Sequence, residues 1–173
     1  MKENIVSYKD SEKIKFIVES KKYGNKEVTI DIKNWERVKE YRWYLHYEPK
    51  LHYSNAYTFI DKKVVKLHRF ILNLQDSSVS VDHINHNTFD NRENNLRECS
   101  RSENSKNQKM HKDNISGFKG VVWREPRKKF IAQICVDSKI IYLGGFSNKI
   151  EAAKAYNNAA IKYHGEFANL NQV

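Results

Sequence analysis

The sequence predicts an α+β fold made of small modules, and three observations support this prediction. Short runs of strand-like composition occupy much of residues 1–66. The middle of the chain carries two helix-start signals, in which a short polar residue is followed three residues later by Glu. Near the C-terminus, strand-like runs precede one alanine-rich segment with helical periodicity. A chain of 173 residues is long enough for one or two compact units of this kind.

The N-terminal part, residues 1–66, is predicted to be a β-rich module. Its expected strands are 15–18, 28–32, 43–47, 56–60 and 63–66, with turns at 23–25 and 61–62 and a short helix at 34–41. Four aromatic residues are interpreted as core, with a stacking face as the alternative: Trp35, Trp43, Tyr57 and Phe59. A one-sided helix is expected next, at 67–74, with His68 and Arg69 on its polar side.

Composition favours a cytoplasmic protein. Hydrophobic residues make up 39% and charged residues 30% of the chain, and no apolar run approaches the roughly 20 residues of a membrane span. The first residues lack the apolar core of a signal peptide, so a secreted protein is not expected. Cys99 and Cys135 are isolated in the sequence, which favours neither a disulfide framework nor a structural zinc site.

Positive charge is concentrated in about one fifth of the chain. Residues 97–129 hold ten Lys or Arg against four Asp or Glu, so six of the +10 net charges fall there. No amphipathic basic helix accompanies this charge, so a nucleic acid is favoured over a membrane surface as the partner. The polar segment 106–116 is interpreted as a linker whose Lys106, Lys109 and Lys112 contact phosphates.

The stretch 81–107 carries the residues most suggestive of chemistry. Asp82 and His83 are adjacent, Asn95 follows twelve residues after His83, and Asn104 follows nine residues after Asn95. Such a set of carboxylate, imidazole and amide groups suits metal-assisted cleavage of a phosphodiester. Turns are the ordinary explanation for Asn and Asp enrichment, but the combined residue types and spacings favour a functional set.

The same stretch predicts the order strand, irregular loop, strand and helix. Helix-start signals stand at Asp90 and at Ser100, and the second should open a helix near Arg101. A short strand at 95–97 can face one at 81–84.

The chemistry of the four residues can be assigned in outline. Mg²⁺ prefers carboxylate and amide oxygens and keeps several waters, so Asp82 and Asn104 are candidate ligands. His83 points to the opposite side of its strand from Asp82, and imidazole titrates near neutrality, which suits a general base. An amide oxygen of Asn95 accepting the Nδ1–H of His83 would leave Nε2 available to take the proton.

The pattern resembles the HNH nucleases, also called ββα-metal or His-Me finger nucleases, and particularly the homing endonucleases of phages and introns. The residues that carry the resemblance are Leu67-His68-Arg69, Val81 to Asn85, Asn87, Asp90-Asn91-Arg92, Asn95-Leu96-Arg97, Ser102-Glu103-Asn104 and Asn107. The resemblance implies one Mg²⁺ or Mn²⁺ held by Asp82 and Asn104, His83 as general base, and Asn95 orienting His83.

The resemblance also bears on the roles of three further residues of this region. Arg69 and Arg97 are candidates for contacts with DNA, and Arg69 could equally serve to position its helix. His86 departs from the small residue, often Gly, that the family commonly has at that point, and is interpreted as a loop residue near DNA.

Residues 113–173 are predicted to form a second recognisable unit. Strands are expected at 120–124, 129–136 and 140–144, with turns at 125–127 and 137–139. A helix over 149–163 is expected, capped by Ser147 or Asn148 and closed by Gly165. Its apolar residues fall on one face: Ile150, Ala153, Tyr156, Ala160 and Tyr163. The prediction is a three-stranded antiparallel sheet packed on one helix.

This segment resembles the plant ethylene-response-factor (Apetala-two) DNA-binding domain over nearly its whole length. The likeness rests on Phe118 to Val121, Leu143 to Phe146, the alanine-rich helix and the closing Asn169-Leu170-Asn171. In that family the sheet lies in the major groove of DNA. The resemblance implies DNA contacts from Lys119, Trp123, Arg124, Lys128, Lys129, Gln133 and Tyr142. The alternative is that Trp123 and Tyr142 merely cover the sheet.

The resemblance does not extend to base preference. Val122, Cys135 and Ile140 stand where plant members commonly have arginines.

Together these features predict a metal-dependent, site-specific endonuclease acting on double-stranded DNA. Its three parts are a β-rich module (1–66), the nuclease motif with a basic linker (67–112) and a DNA-binding domain (113–173). One motif per chain favours a nicking monomer, and a dimer could cut both strands. Two alternatives stay open: a non-catalytic sequence-specific DNA-binding regulator, and a cleaving enzyme with a role other than homing, such as restriction or phage packaging.

Overall fold

The structure, a computed structural model, describes residues 4–48, 53–110 and 113–173. Its strands are β1 (Ile5–Lys9), β2 (Lys13–Val18), β3 (Lys26–Asp31), β4 (Tyr44–Glu48), β5 (Tyr53–Ile60), β6 (Lys63–Lys66), β7 (Ser80–His83), β8 (Leu96–Cys99), β9 (Val121–Arg124), β10 (Lys129–Val136) and β11 (Lys139–Phe146). Its α-helices are α1 (Trp35–Val38), α2 (Leu67–Ile71), α3 (Arg101–Lys106) and α4 (Lys149–His164). Single turns of 3-10 helix occupy Ile32–Asn34, Glu93–Asn95, Glu125–Arg127 and Gly165–Phe167. Several small antiparallel sheets with few helices confirm the predicted α+β class.

The chain divides into two compact units, Met1–Cys99 and Ser100–Val173. The first contains β1 to β8 with α1 and α2, and the second contains α3, α4 and β9 to β11. The three-part division at residues 66 and 112 stays a sequence-based prediction. None of the helices in the described ranges is long and apolar enough to cross a membrane.

The first unit contains two three-stranded antiparallel sheets, in the orders β1-β2-β3 and β4-β5-β6, and the two-stranded sheet β7-β8. Alternate residues of β2 are buried, which is the period-two pattern of a strand with one face on a core. One hydrophobic core joins the two sheets and the helices, and its fully buried members include Ile14, Phe16, Ile30, Val38 and Leu67. Trp43 belongs to this core as predicted, and its Nε1 donates to the Val38 carbonyl at 2.9 Å.

Three sequence-based expectations for the first unit are wrong in detail. Strand β1 was not predicted, and every one of its residues is exposed, so it shows no alternation of burial. Tyr57 and Phe59 lie on the outer face of their sheet rather than in the core, and Phe59 is 53% exposed. His68 is buried instead of lying on the polar side of α2.

A three-stranded sheet in the order β11-β10-β9 packs against α4 in the second unit, as the sequence predicts. Of the two predicted caps, Asn148 begins the helix, since its Oδ1 accepts the Ile150 N–H at 2.8 Å. The buried residues of α4 are mostly small: Ala152, Ala153, Tyr156, Ala159, Ala160 and His164. Ile150 and Tyr163, which were expected on the packed face, are 43% and 37% exposed.

Gly120 lies at the closest approach of the sheet and α4. Its φ is +73°, a conformation that side chains rarely adopt. A Cβ at this position would overlap the Tyr156 ring and stand 2.7 Å from the Gln133 carbonyl oxygen. The packing therefore requires glycine here.

Candidate functional site

An antiparallel hairpin of β7 and β8 carries the first predicted site residues. In its register Asp82 pairs with Arg97 and His83 pairs with Leu96, and residues 84–95 form the loop between the strands. Both Asp82 and His83 are buried. Since α3 begins directly after β8, the observed order of elements is the predicted strand, loop, strand and helix.

Side-chain hydrogen bonds inside the loop fix its path. The buried Asn95 accepts the Asn85 N–H at 3.0 Å through Oδ1 and donates to the Asp90 carbonyl at 2.7 Å through Nδ2. The Asp90 carboxylate accepts from Arg92 at 2.8 and 2.7 Å and from Asn85 Nδ2 at 2.9 Å. Burial by itself raises the pKa of Asp90, but the Arg92 and Asn85 hydrogen bonds outweigh it and leave the pKa below its usual value. Asn95 thus acts on the loop backbone, and its contact with His83 stays a prediction.

The loop is also hydrogen-bonded to the outer edge of β3. The Thr29 N–H donates to the Phe89 carbonyl at 2.8 Å, and the Asn91 N–H donates to the Thr29 carbonyl at 2.8 Å. Two residues further along each segment, the Glu93 N–H donates to Asp31 Oδ2 at 2.7 Å. The β-rich part of the unit therefore supports the loop directly.

His83 is held between an amide and a second imidazole. Its Nε2 lies 3.4 Å from Asn91 Oδ1, and its ring centroid lies 5.4 Å from that of His68, with the ring planes at 89°. Burial lowers the pKa of His83, although the Asn91 hydrogen bond and the Asp82 and Asp90 carboxylates oppose this. The imidazole is therefore neutral at neutral pH, which is the form that can accept a proton. Because an amide oxygen only accepts, the contact with Asn91 places the N–H at Nε2, and this disagrees with the expectation that Nε2 is the free nitrogen.

His68 and Asn91 were not assigned to the site from the sequence. Burial lowers the pKa of His68 to about 3, with the neighbouring His83 as the next cause, so His68 stays neutral. Both residues stand in segments that carried the family resemblance, and that was the only available signal. A contact between a helix and a distant hairpin has no local sequence pattern.

Asp82 forms an ion pair across the hairpin. Its Oδ2 accepts from Nε and Nη2 of Arg97 at 2.9 and 2.6 Å, and both side chains are largely buried. Arg97, which was predicted to contact DNA, is therefore directed at Asp82 in this structure. The pair fixes the orientation of the Asp82 carboxylate.

Asn104 lies on α3, which begins where the sequence predicts. Ser100 Oγ accepts the Glu103 N–H at 3.1 Å while Glu103 Oε2 accepts the Ser100 N–H at 2.7 Å, which confirms the second capping box. The helix-start signal at Asp90 is wrong, because its carboxylate binds Arg92 and Asn85 within the loop and caps no helix.

The predicted metal ligands are oxygen donors. A carboxylate from Asp82 and an amide oxygen from Asn104 suit a hard cation such as Mg²⁺ or Mn²⁺, which takes one or two carboxylates and completes its shell with water and phosphate oxygens. Within the described ranges, no group of three or more His, Cys, Asp or Glu side chains is close enough together to hold a metal ion. The donor chemistry fits a cation of this hard type.

Known proteins share this segment. A family model described as HNH endonuclease matches residues 75–106, which contain β7, the loop, β8 and α3. An uncharacterized HNH endonuclease of Acanthamoeba polyphaga mimivirus is 31% identical over 149 residues, covering 83% of this chain and 74% of that protein. The chain belongs to the HNH endonuclease family. No solved structure matches it.

The HNH motif, residues 75–106, contains all four residues of the predicted catalytic set. The loop turns sharply at His86. His86 has a φ of +60°, a conformation that glycine adopts without strain, and its N–H donates to the His83 carbonyl at 2.9 Å. The position thus makes a tight turn next to His83.

Arg69, which lies before the HNH motif, organises the chain that leads into it. Its guanidinium donates to the carbonyls of Val79 at 2.7 Å, Asp76 at 2.5 Å and Leu74 at 3.4 Å. All three acceptors belong to the connection between α2 and β7. This geometry favours a structural role over the predicted phosphate contact.

Lys119 binds the linker that follows the HNH motif. Its Nζ donates to the carbonyls of Lys106 at 2.7 Å and Gln108 at 2.6 Å, and burial lowers its pKa to about 8. This contact favours a structural role over the predicted contact with DNA. Lys109 is exposed, and Lys112 lies outside the described residues.

The register of the C-terminal sheet separates Trp123 from the other predicted DNA contacts. Trp123 pairs with Phe130 and contacts its ring at a centroid distance of 4.7 Å, on the face that packs towards α4. Arg124, Gln133 and Tyr142 lie on the opposite face, because side chains alternate along strands. The expectation that Trp123 shares the outer face with them is therefore wrong.

The outer face forms a shallow basic depression. It encloses about 300 Å³ and is lined by Arg124, Pro126, Arg127, Ile131, Gln133 and Tyr142. Of the two predicted phosphate contacts beside it, Lys128 is exposed in the turn and Lys129 donates to Ser147 Oγ at 2.8 Å. Tyr142 is 58% exposed.

Proposed function

We propose that this HNH protein is a site-specific DNA endonuclease of the homing type that cuts one strand of a duplex with the help of one divalent metal ion. The observation that carries the proposal is the neutral, buried His83 next to the buried carboxylate of Asp82, inside the segment that the HNH family model matches. A general base and a metal ligand on adjacent residues of one strand supply two of the groups that metal-assisted attack of water on a phosphodiester requires.

Each residue of the proposed site has a separate task. His83 takes a proton from the attacking water, since it is neutral when the reaction begins. Asp82 and Asn104 are the proposed ligands of Mg²⁺ or Mn²⁺, which when bound stabilises charge on the scissile phosphate and the leaving 3′-oxygen. Asn95 keeps the loop, and through it the His83 backbone, in place. The products are a 5′-phosphate and a 3′-hydroxyl.

Arg97 has a supporting task in this scheme. Its two hydrogen bonds orient the Asp82 carboxylate before DNA arrives. An arginine at this position also adds positive charge where a phosphate must be bound.

We further propose that the outer face of β9-β10-β11 contacts the major groove. Its exposed Arg124, Gln133 and Tyr142 offer a guanidinium, an amide and a ring on one surface, and this mixture suits both phosphates and base edges. The likeness to the Apetala-two domain supports the same face. Trp123 and Lys119 are left out of this proposal because the structure directs them elsewhere.

Nicking of supercoiled DNA tests the catalytic proposal. The substrates should include DNA from the neighbourhood of the encoding gene, and each reaction is run with Mg²⁺, with Mn²⁺ and with chelator. We expect metal-dependent nicking that is lost in His83→Ala and Asp82→Asn and kept in Glu36→Gln, an exposed carboxylate of α1. Equal nicking by His83→Ala and the unchanged protein would remove His83 from the mechanism.

Binding assays test the sheet proposal and its competitor. Arg124→Ala should weaken binding to the target duplex and reduce its salt dependence, while Lys162→Ala, on the exposed side of α4, should not. Tight sequence-specific binding without cleavage of any substrate would favour the non-catalytic DNA-binding regulator.

A further inference from the structure

The outer face of the β4-β5-β6 sheet carries a cluster of aromatic rings. Tyr57 contacts Tyr44 at a centroid distance of 5.7 Å and Phe59 at 5.6 Å, and Tyr44 and Phe59 are 6.1 Å apart. His46 extends the cluster, 6.3 Å from Tyr57. These four residues are called the aromatic face below.

The core of the unit does not need these rings. Residues that alternate with them point inward and are buried: Leu45 at 8%, Ala56 at 1% and Thr58 at 2% exposure. The four residues of the aromatic face are half-buried or exposed, and Phe59 retains 53% exposure. An apolar ring left this open gains free energy only when something covers it.

The aromatic face has positively charged neighbours. The Arg42 guanidinium lies over the Tyr44 ring, 5.4 Å from its centroid, and Lys66 is the cross-strand partner of Tyr57. Lys62 and Lys63 are exposed in and after the β5–β6 turn. Among the described side chains from Arg42 to Lys66, Asp61 is the acidic one, and the basic ones outnumber it. The surface therefore suits an anionic partner.

We propose that the aromatic face binds unpaired nucleotides of single-stranded DNA. Bases stack on Phe59, Tyr57 and Tyr44, and the strand's phosphates contact Arg42 and Lys66. Stacking on protein rings requires an open base face, and in a duplex those faces are covered by the neighbouring base pairs. A single strand uses the rings and the basic rim together, whereas a duplex would not use the rings.

This inference goes beyond cleavage by the HNH motif, because single-strand binding can exist whether or not the chain cuts DNA. It adds a second kind of nucleic-acid ligand to the one proposed for the C-terminal sheet. A strand opened or distorted beside a cleavage site would present such a ligand.

Fluorescence anisotropy with a labelled oligothymidine of about twelve nucleotides tests the proposal on the whole 173-residue chain without metal. Base stacking on an aromatic side chain is worth about 1–3 kcal/mol, so we expect Phe59→Ala to weaken binding roughly 5- to 150-fold. Tyr8→Ala is the matched control, because Tyr8 is an exposed aromatic residue on another sheet. An abasic oligonucleotide of the same length keeps the phosphates and should bind the unchanged protein at least as weakly as oligothymidine binds Phe59→Ala, because it cannot stack on any of the three rings.

A second variant, Phe59→Trp, measures stacking directly by fluorescence. Phe59→Trp keeps a ring at the exposed position, so it should retain affinity, and its added indole fluorescence should be quenched by oligothymidine and not by the abasic strand. The proposal is overturned if Phe59→Ala, shown by circular dichroism to be folded, binds oligothymidine as well as Tyr8→Ala does. Equal binding of the abasic strand by the unchanged protein, or loss of self-association rather than of single-strand affinity in Phe59→Ala, would also overturn it. Nicking does not enter these readouts, so failure here leaves the proposed function to its own test.

Discussion

Lowering the pH should destabilise the first unit through His68, and a single substitution should remove that effect. Burial lowers the pKa of His68 from its ordinary 6.5 to about 3. Between those values the unfolded chain binds a proton that the folded chain does not. The free energy of unfolding is therefore highest at neutral pH and decreases as the pH falls below about 6.5. For these two pKa values the loss between about pH 7 and pH 5 is about 2 kcal/mol.

Urea unfolding at a series of pH values measures this loss. A Trp123→Phe background leaves Trp35 and Trp43, both in the first unit, as the fluorescent reporters. The histidine variant His68→Leu should be less stable at neutral pH because the neighbouring packing changes, but its free energy of unfolding should fall about 2 kcal/mol less on acidification. His164 is present in both proteins and lies in the other unit, so its contribution cancels in the difference. His83 contacts His68, so the same comparison is repeated in a His83→Ala background, where the difference of about 2 kcal/mol should persist. Identical pH dependence in the two proteins would refute the assignment of a buried neutral imidazole at His68.

Two further predictions concern the backbone. Gly120→Ala should lower the free energy of unfolding of the second unit by about 3 kcal/mol or more, since the new Cβ overlaps the Tyr156 ring and stands 2.7 Å from the Gln133 oxygen. Its control is Gly24→Ala, where φ is +71° and the Cβ meets nothing within 4 Å, and where only the conformational cost of about 1 kcal/mol is expected. Urea unfolding with Trp123 retained as the reporter of the second unit measures the first loss, and Trp35 and Trp43 report the second. Equal losses of unfolding free energy relative to the unchanged protein would contradict the packing argument. Asn148→Ala removes the hydrogen bond to the second N–H of α4 and should cost about 1 kcal/mol in the same assay; an unchanged midpoint would exclude a capping contribution.

The sequence predicts the second unit best because its signals there are local. Strand alternation, turn residues and a helix cap are each contained within a few residues, and β10 was predicted with the observed bounds. The Ser100 capping box is another local signal, and it forms as predicted. The side on which Trp123 lies was missed because it depends on pairing register, which a single strand does not encode.

The sequence predicted which residues form the candidate site better than it predicted which side chains they contact. Asp82 and His83 stand side by side on β7, and the hairpin that carries them was expected. The partners found around them come from elsewhere in the fold: Arg97 from across the hairpin, His68 from α2 and Asn91 from the loop. A long-range contact between polar side chains leaves no periodic trace in the sequence. The Asp90 signal failed for a related reason, since the carboxylate found an arginine two residues away instead of a helix amide.

The two backbone hydrogen bonds between Thr29 and the loop bear on how such a site can be moved between proteins. A fragment cut at the edges of the sequence motif would leave the Phe89 carbonyl and the Asn91 amide without the strand that they bind. An engineer who grafts this loop onto another scaffold must therefore supply an open strand edge at the same place, or carry residues 26–31 along with it. The unit of transplantation is a site together with a piece of its supporting sheet, although the two are separated by some fifty residues of chain.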